Sequence, residues 1–340
     1  IPTKGGSIDD LFSIFSIKNV DEQIMIGTWL VSTLFTNIPR PHLWIVGDEG
    51  SGKTTLALSL KKLIDPVSRG NFMYKNTNEM AQTIDHHAVP FFDNFTKVNV
   101  EISDLLCGAC TGTNFTKRKQ YTDDEDFTFM LNKPIILTSI SLKNPASDLL
   151  DRCIVIEKNK STRKNATYEE LMQAYDDKKP GIIGAIYDAA VKTLKTYREI
   201  EVSNYIRLAD FQRIGIAAAQ ALGFTREQFE TALANNLKSK GVLKLQSFPV
   251  ASFVVKFMEN NEYWEGTMFE LKHELMDIAD DPDLVNSNPS ILSRNLKDCK
   301  HILEKDNLEV IAGSNGSNGR KYIIRRITHD YSDDYVDYIA

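Results

Sequence analysis

The chain has 340 residues, 42% hydrophobic and 25% charged, a composition that excludes a disordered or fibrous protein and suits a globular one of about two domains. Asp and Glu (46) outnumber Lys and Arg (40), and the formal net charge of −6 argues against a dedicated nucleic-acid coat protein, so local patches decide any phosphate binding. No apolar run approaches the roughly 20 residues of a membrane span, the opening Ile1-Pro-Thr-Lys-Gly-Gly6 has no signal-peptide core, and four cysteines give no disulfide framework; a cytoplasmic location without membrane contact is expected.

Residues 1–40 read as a helical lead-in, periodic from 8 to 37 in two pieces parted near Lys18–Asp21 and ended by Pro39-Arg-Pro41. Ile1 in place of Met leaves an upstream domain open. Next comes His42-Leu-Trp-Ile-Val-Gly47-Asp-Glu-Gly50-Ser51-Gly52-Lys53-Thr54-Thr55, a buried strand, a glycine-rich turn and a helix start, with Gly47, Gly52, Lys53 and Thr54 at P-loop spacing. Such a loop turns backbone N–H groups toward the phosphates of ATP, sends Lys53 to the β/γ-phosphates and offers the Thr54 hydroxyl to Mg²⁺. Gly47, Gly50, Ser51, Gly52, Lys53, Thr54 and Thr55 are therefore the expected nucleotide-binding residues. The helix that follows, Thr55 to Ile64, puts Leu56, Leu60, Leu63 and Ile64 on one face.

From 41 to 160 apolar strand-like runs (Leu43–Val46, Val89–Phe92, Pro134–Ser139, Cys153–Glu157) alternate with helical ones, which predicts an α/β core with a mostly parallel sheet and helices on both faces. A P-loop needs a second acid to hold Mg²⁺, and Asp93, closing Val89-Pro-Phe-Phe-Asp93-Asn94, fits; Pro90 lacks a ladder donor, so that strand is expected to begin there. With Asn94 where many such ATPases carry Glu, either Asp93 serves both metal and water or a carboxylate elsewhere acts as base. Thr138 ends the third strand, where a hydroxyl can sense the γ-phosphate or orient water. Arg152 precedes the last strand, placed either to reach a neighbouring subunit's nucleotide or to pair locally with Asp148 or Asp151. Between the second and third strands, Lys117-Arg118-Lys119, Tyr121 and then acids flanked by alternating apolar residues describe a hairpin with a basic tip, read either as a phosphate grip or as a solvated loop. Cys107 and Cys110 form a C-x-x-C with no second pair or nearby His, and are read as helix neighbours rather than zinc ligands.

Residues 161–246 are expected to form a helical lid, opened by the capping box Thr167-Tyr-Glu-Glu170, and Ser247-Phe-Pro-Val-Ala251 to be a linker. Residues 247–327, with two helical stretches, a Pro289-to-Glu304 helix and a strand pair flanking Gly313–Gly319, suggest a winged-helix module. Between Asn288 and Ile327, eight basic residues against four acidic ones leave +4. Arg294, Lys297 and Lys300 at helical spacing, with Arg320 and Lys321 on the wing, would meet duplex DNA, while Ile291, Leu292, Leu296 and Ile302 form the buried side. Residues 328–340 read as an acidic tail.

Taken in order with the P-loop, Phe92-Asp93-Asn94, Lys117-Arg118-Lys119-Gln-Tyr121-Thr122-Asp123, Pro134-Ile-Ile-Leu-Thr138 and Asp148-Leu-Leu-Asp151-Arg152 resemble AAA+ helicases and replication initiators of mobile elements. The likeness is strongest to Rep-type helicases of staphylococcal pathogenicity islands, phage satellites and chromosome cassettes, which look like minichromosome-maintenance and superfamily-three helicases. It spans about residues 40–330. The resemblance implies Lys53 and Thr54 as Walker A, Asp93 with Asn94 as Walker B, Thr138 at the sensor-one position (often Asn in such proteins), Arg152 as a finger acting in trans and Arg207 as the lid's sensor-two arginine. It also implies a pre-sensor hairpin at Lys117, Arg118 and Lys119 that tracks single-stranded DNA in the pore of a homo-oligomeric ring, a hexamer, with ATP and Mg²⁺ as cofactors and host replication proteins as further partners. The competing reading is a non-unwinding AAA+ switch that binds DNA through its winged helix and recruits other factors.

Overall fold

All five residues of β1 (His42–Val46) are buried, which a strand achieves when both faces of its sheet are covered. The computed structural model describes residues 1–67, 70–73, 76–95, 98–118, 126–141, 147–159, 167–203, 205–247, 249–278, 288–316 and 319–327. In it β1 is an inner strand of a four-stranded sheet ordered β2–β5–β1–β6, with β2 Phe91–Phe92, β5 Ile136–Ser139 and β6 Cys153–Glu157. Every pairing is parallel, with Val46 opposite both Ser139 and Glu157, and Phe92 opposite Leu137. The expected parallel sheet flanked by helices is therefore present. Parallel neighbours need crossovers, and these run through α3 (Lys53–Ile64), α4 (Thr77–His86), α5 (Val100–Thr111) and α6 (Ser147–Asp151). β2 is shorter than its apolar run because Pro90 has no N–H; its carbonyl still accepts from the Ile136 amide at 2.9 Å.

Around the sheet lie α1 (Asp9–Ile14), α2 (Val20–Ser32), α7 (Tyr168–Thr196), α8 (Ala209–Ala221) and α9 (Arg226–Ser247). Trp29, Ile45, Leu60, Ile154, Tyr175, Phe211 and Phe229 belong to one continuous core. Thr167 and Glu170 close a reciprocal capping box on α7, two orphan donors satisfied at once. Along α7 the backbone of residues 3–6 approaches so closely that Thr3 N–H donates to Pro180 O at 3.0 Å, and a Cβ at Gly184 would sit 2.0 Å from Thr3 O.

Between α5 and β5, β3 (Thr113–Arg118) pairs antiparallel with β4 (Asp126–Leu131), Phe115 opposite Phe129. This is the hairpin read from the sequence; Lys119 and Tyr121 lie outside the described residues.

The chain divides into two compact units, Ile1–Lys240 and Gly241–Ala340. α9 continues to Ser247 and α10 (Pro249–Met258) starts two residues later, so the stretch expected to be a linker is helical at both ends. The second unit adds α11 (Met268–Met276), helices Pro289–Asp298 and Lys300–Lys305, and a sheet ordered β7–β9–β8, with β7 Tyr263–Thr267, β8 Leu308–Gly316 and β9 Gly319–Arg326. Three details differ from expectation. β7 is a third strand, antiparallel to β9. The helix expected to run to Glu304 is broken at Cys299, whose fully buried side chain turns into a core with Leu292, Leu296 and Leu303, so Lys300 opens a new helix. Ile291 is 50% exposed, because that core takes Leu292 and Leu296, leaving its neighbour on the outer face.

Candidate active site

The turn after β1 holds its shape through backbone that side chains would obstruct. Gly47 lies against the exit of β6, where a Cβ would sit 2.1 Å from Lys158 O, and Gly52, the N-cap of α3, has φ +84°, a conformation glycine adopts without steric cost. The neighbouring strand fixes the same spot: Lys158 N–H donates to Val46 O at 2.7 Å. Lys53 opens α3 and is only 7% exposed. Its Nζ donates to Gly47 O and Asp48 O, both at 2.6 Å, and lies 3.5 Å from Ser51 Oγ. Thr54 and Thr55 follow in the first turn of α3, where free N–H groups and the helix dipole favour an anion.

Because all four strands run the same way, β2 and β5 end beside this turn. Thr54 Oγ1 donates to Asp93 Oδ1 at 3.0 Å, and the buried Thr138 Oγ1 donates to the same oxygen at 2.5 Å. Asn94 has φ +53°, which turns its amide back onto Thr138 Oγ1 and Asp93 Oδ1, both at 3.1 Å. Thr54, Asp93, Asn94 and Thr138 thus meet in one hydrogen-bonded cluster beside Lys53. Hydroxyl and carboxylate oxygens are the ligand type Mg²⁺ takes, and the loop amides with Lys53 suit a polyphosphate.

Arg152 and Arg207 are not brought to this cluster. Arg152 precedes β6 and its carbonyl accepts from the His42 amide at the start of β1 at 2.9 Å, so it sits at the opposite edge of the sheet, roughly 16 Å away at about 3.3 Å per residue. Its Nη1 pairs with Asp148 Oδ2 at 2.5 Å and with Asp148 O at 3.0 Å; of the two readings of Arg152, the local pair with Asp148 is formed. The half-exposed Arg207 pairs with the other carboxylate oxygen, Asp148 Oδ1. Burial raises the Asp148 pKa, but hydrogen bonds from Arg152 and the Cys107 thiol, with both guanidinium charges, hold it below its usual value. Burial pushes the Cys107 thiol up to about 11, assisted by Asp148.

Sequence reasoning missed Lys158 and Glu22, which no motif marks. Burial lifts the Glu22 carboxyl to about 7 against the opposing pull of Lys158, whose Nζ donates to Phe15 O at 2.8 Å. Of the expected DNA contacts, Lys117 and Arg118 are in β3, while Arg294 and Lys297 project from the Pro289–Asp298 helix into solvent. Lys321 is held by Glu265 at 3.1 Å, and Arg320 donates to Gly313 O at 2.9 Å.

Comparison with known families decides the class of protein. The family described as the actinomycete integrative conjugative element replication protein matches residues 8–238, more than half of the chain, and its C-terminal domain matches residues 250–333. The chain belongs to this replication-protein family. The ordered motifs pointed to replication proteins of mobile elements, and at that level the family agrees. No curated protein matches this replication protein. Solved structures similar to it include "SCCmec type IV Cch - active helicase", at 13% identity with a TM-score of 0.44, covering 95% of this chain and 70% of the other. Another is the apo C-terminal region of NrS-1, at 12% identity with a TM-score of 0.43, covering 96% of this chain and 77% of that one. Among the described residues no helix is long and apolar enough to cross a membrane.

Proposed function

We propose that this replication protein is a P-loop ATPase of the AAA+ class that assembles as a ring, a hexamer, and uses ATP hydrolysis to move along and unwind DNA. The observation that carries the reading is the division of the expected catalytic residues between the two edges of one sheet. Lys53, Thr54, Asp93 and Thr138 gather where the strands end, whereas Arg152 and Arg207 sit together where they begin. A single copy therefore holds a phosphate-binding half and an arginine half that cannot meet, and a second copy would join them.

Lys53 and the loop amides would hold the triphosphate, and Thr54 with Asp93 would hold Mg²⁺, which supplies charge neutralisation at the transferred phosphoryl group. Thr138 fixes the Asp93 carboxylate and Asn94 fixes Thr138, so the acid is oriented before any ligand arrives. Arg152 from a neighbour would meet charge developing on the γ-phosphate. The β3–β4 hairpin, with Lys117, Arg118 and Lys119, would follow single-stranded DNA in the pore, and the second unit, with a winged-helix arrangement of the Pro289–Asp298 helix and β8–β9, would take duplex DNA.

Three measurements test this. ATP turnover per copy should fall steeply on dilution. Arg152→Ala should lower turnover by about 10³-fold or more while ATP binding stays nearly intact. A labelled fork with ATP and Mg²⁺ should be displaced. Normal hydrolysis by the Arg152 variant overturns the assignment of the finger, and a shifted but undisplaced fork favours a DNA-bound switch that recruits other factors.

A further inference from the structure

We propose that Asp148 is the positioning residue of the arginine half-site, holding Arg152 and Arg207 as one unit for delivery to a neighbouring copy. The inference rests on the reading that a neighbour's arginines complete each nucleotide site.

Two guanidinium groups repel, and neither is placed by its own backbone: Arg152 leaves the end of α6 (Ser147–Asp151), and Arg207 stands just ahead of α8. One carboxylate brings them together, Oδ2 taking Arg152 and Oδ1 taking Arg207. Asp148 is itself fixed, because it lies on the short helix α6 and its carbonyl takes a second bond from Arg152. Arg152 is correspondingly shielded, its side chain 12% exposed and its Nε buried without a hydrogen-bond partner. An arginine that only decorated the surface would leave its fork in water. The cluster of two arginines and one aspartate carries a net positive charge at an edge that lacks any other part of the phosphate site, which suits a phosphate brought by a second copy.

The test exploits the two halves being on different copies. Asp148→Asn should lower kcat by about 100-fold, as expected for a displaced catalytic group, with the KM for ATP within about twofold of the parent. Asp148→Glu should recover part of the loss. Lys53→Ala, defective in the phosphate half, should be equally inactive alone. Mixed in equal amounts, Asp148→Asn and Lys53→Ala should hydrolyse ATP roughly tenfold or more above either alone, because intact arginines of one then face an intact phosphate half of the other. Asp148→Asn mixed with Arg152→Ala should stay inactive, since both lack the same half. A fold defect would not be complemented in this way. Restoration by Arg152→Ala with Lys53→Ala, but not by Asp148→Asn with Lys53→Ala, overturns the role of Asp148 alone. Failure of both mixtures overturns the shared-site reading beneath it.

Discussion

Thr138 has its hydroxyl hydrogen and one lone pair committed, the first to Asp93 and the second to the Asn94 amide. Thr138→Val keeps the shape and removes both bonds, so the Asp93 carboxylate loses a hydroxyl donor and the Asn94 amide keeps only its bond to Asp93, at a cost of about 1–3 kcal/mol. The expected result is a lower melting temperature together with ATP turnover reduced about tenfold or more, while Thr138→Ser stays near the parent in both assays. Glu22 gives a prediction with a defined pH window. Its folded pKa of about 7 lies above the 4.5 of the unfolded chain, so the folded state holds its proton more tightly; stability from this group is complete below pH 4.5 and is lost as pH rises through 7. Glu22→Gln should therefore match the parent in thermal stability near pH 4.5 and exceed it at pH 8, and equal melting temperatures at both would refute the assignment. At this scale the meeting of Thr54 with Asp93 beside Lys53 was legible, because a glycine-rich turn and an acid closing the next apolar run are local patterns. The doubly shared Asp148 was not, since it depends on Arg207, 59 positions later, folding back to the same carboxylate.

Elements were legible where one periodicity ruled and obscure where two constraints competed. β1, β5 and β6 announced themselves as apolar runs buried on both faces, and α7 by its capping box. β7 was hidden because its edge residues, Tyr263-Trp-Glu-Gly-Thr267, of which only Gly266 is buried, give no clean alternation. The break at Cys299 was hidden because Arg294, Lys297 and Lys300 keep helical spacing straight through it. The approach of residues 3–6 to α7 was also unreadable, since it depends on empty space above Gly184. Replacing glycine by alanine inside a helix would ordinarily stabilise by up to ~1 kcal/mol. At position 184 the added methyl would meet the Thr3 carbonyl oxygen at 2.0 Å, so Gly184→Ala should instead destabilise, by about 1–3 kcal/mol. Trypsin should then cut after Lys4 faster than in the parent; unchanged cleavage and stability would show that the segment yields freely.

For the whole molecule, the sequence carried the parallel-sheet class and the replication family, because both rest on motifs in a fixed order along the chain. The separation of Arg152 from the loop follows from strand direction, since parallel pairing puts Arg152 at the start of β6 and Gly47 at the end of β1; the position of Arg152 ahead of the last strand implied it, whereas the joining of Arg207 to Arg152 did not show in the sequence. The second unit offers an independent measurement. If Arg294 meets DNA phosphate, Arg294→Ala should weaken duplex binding of unrelated sequences alike and reduce the slope of log affinity against log salt by about one; an unchanged slope would remove this residue from the interface. If a neighbour's arginines complete each nucleotide site, as proposed, the opposed edges of the first unit would give every copy a front that offers arginines and a back that receives them, and contacts of this kind would be head-to-tail. An arc of such copies would leave one front and one back unsatisfied, however many copies it contained. Closure around a strand would then switch on the last dormant site, tying full turnover to encirclement of the substrate.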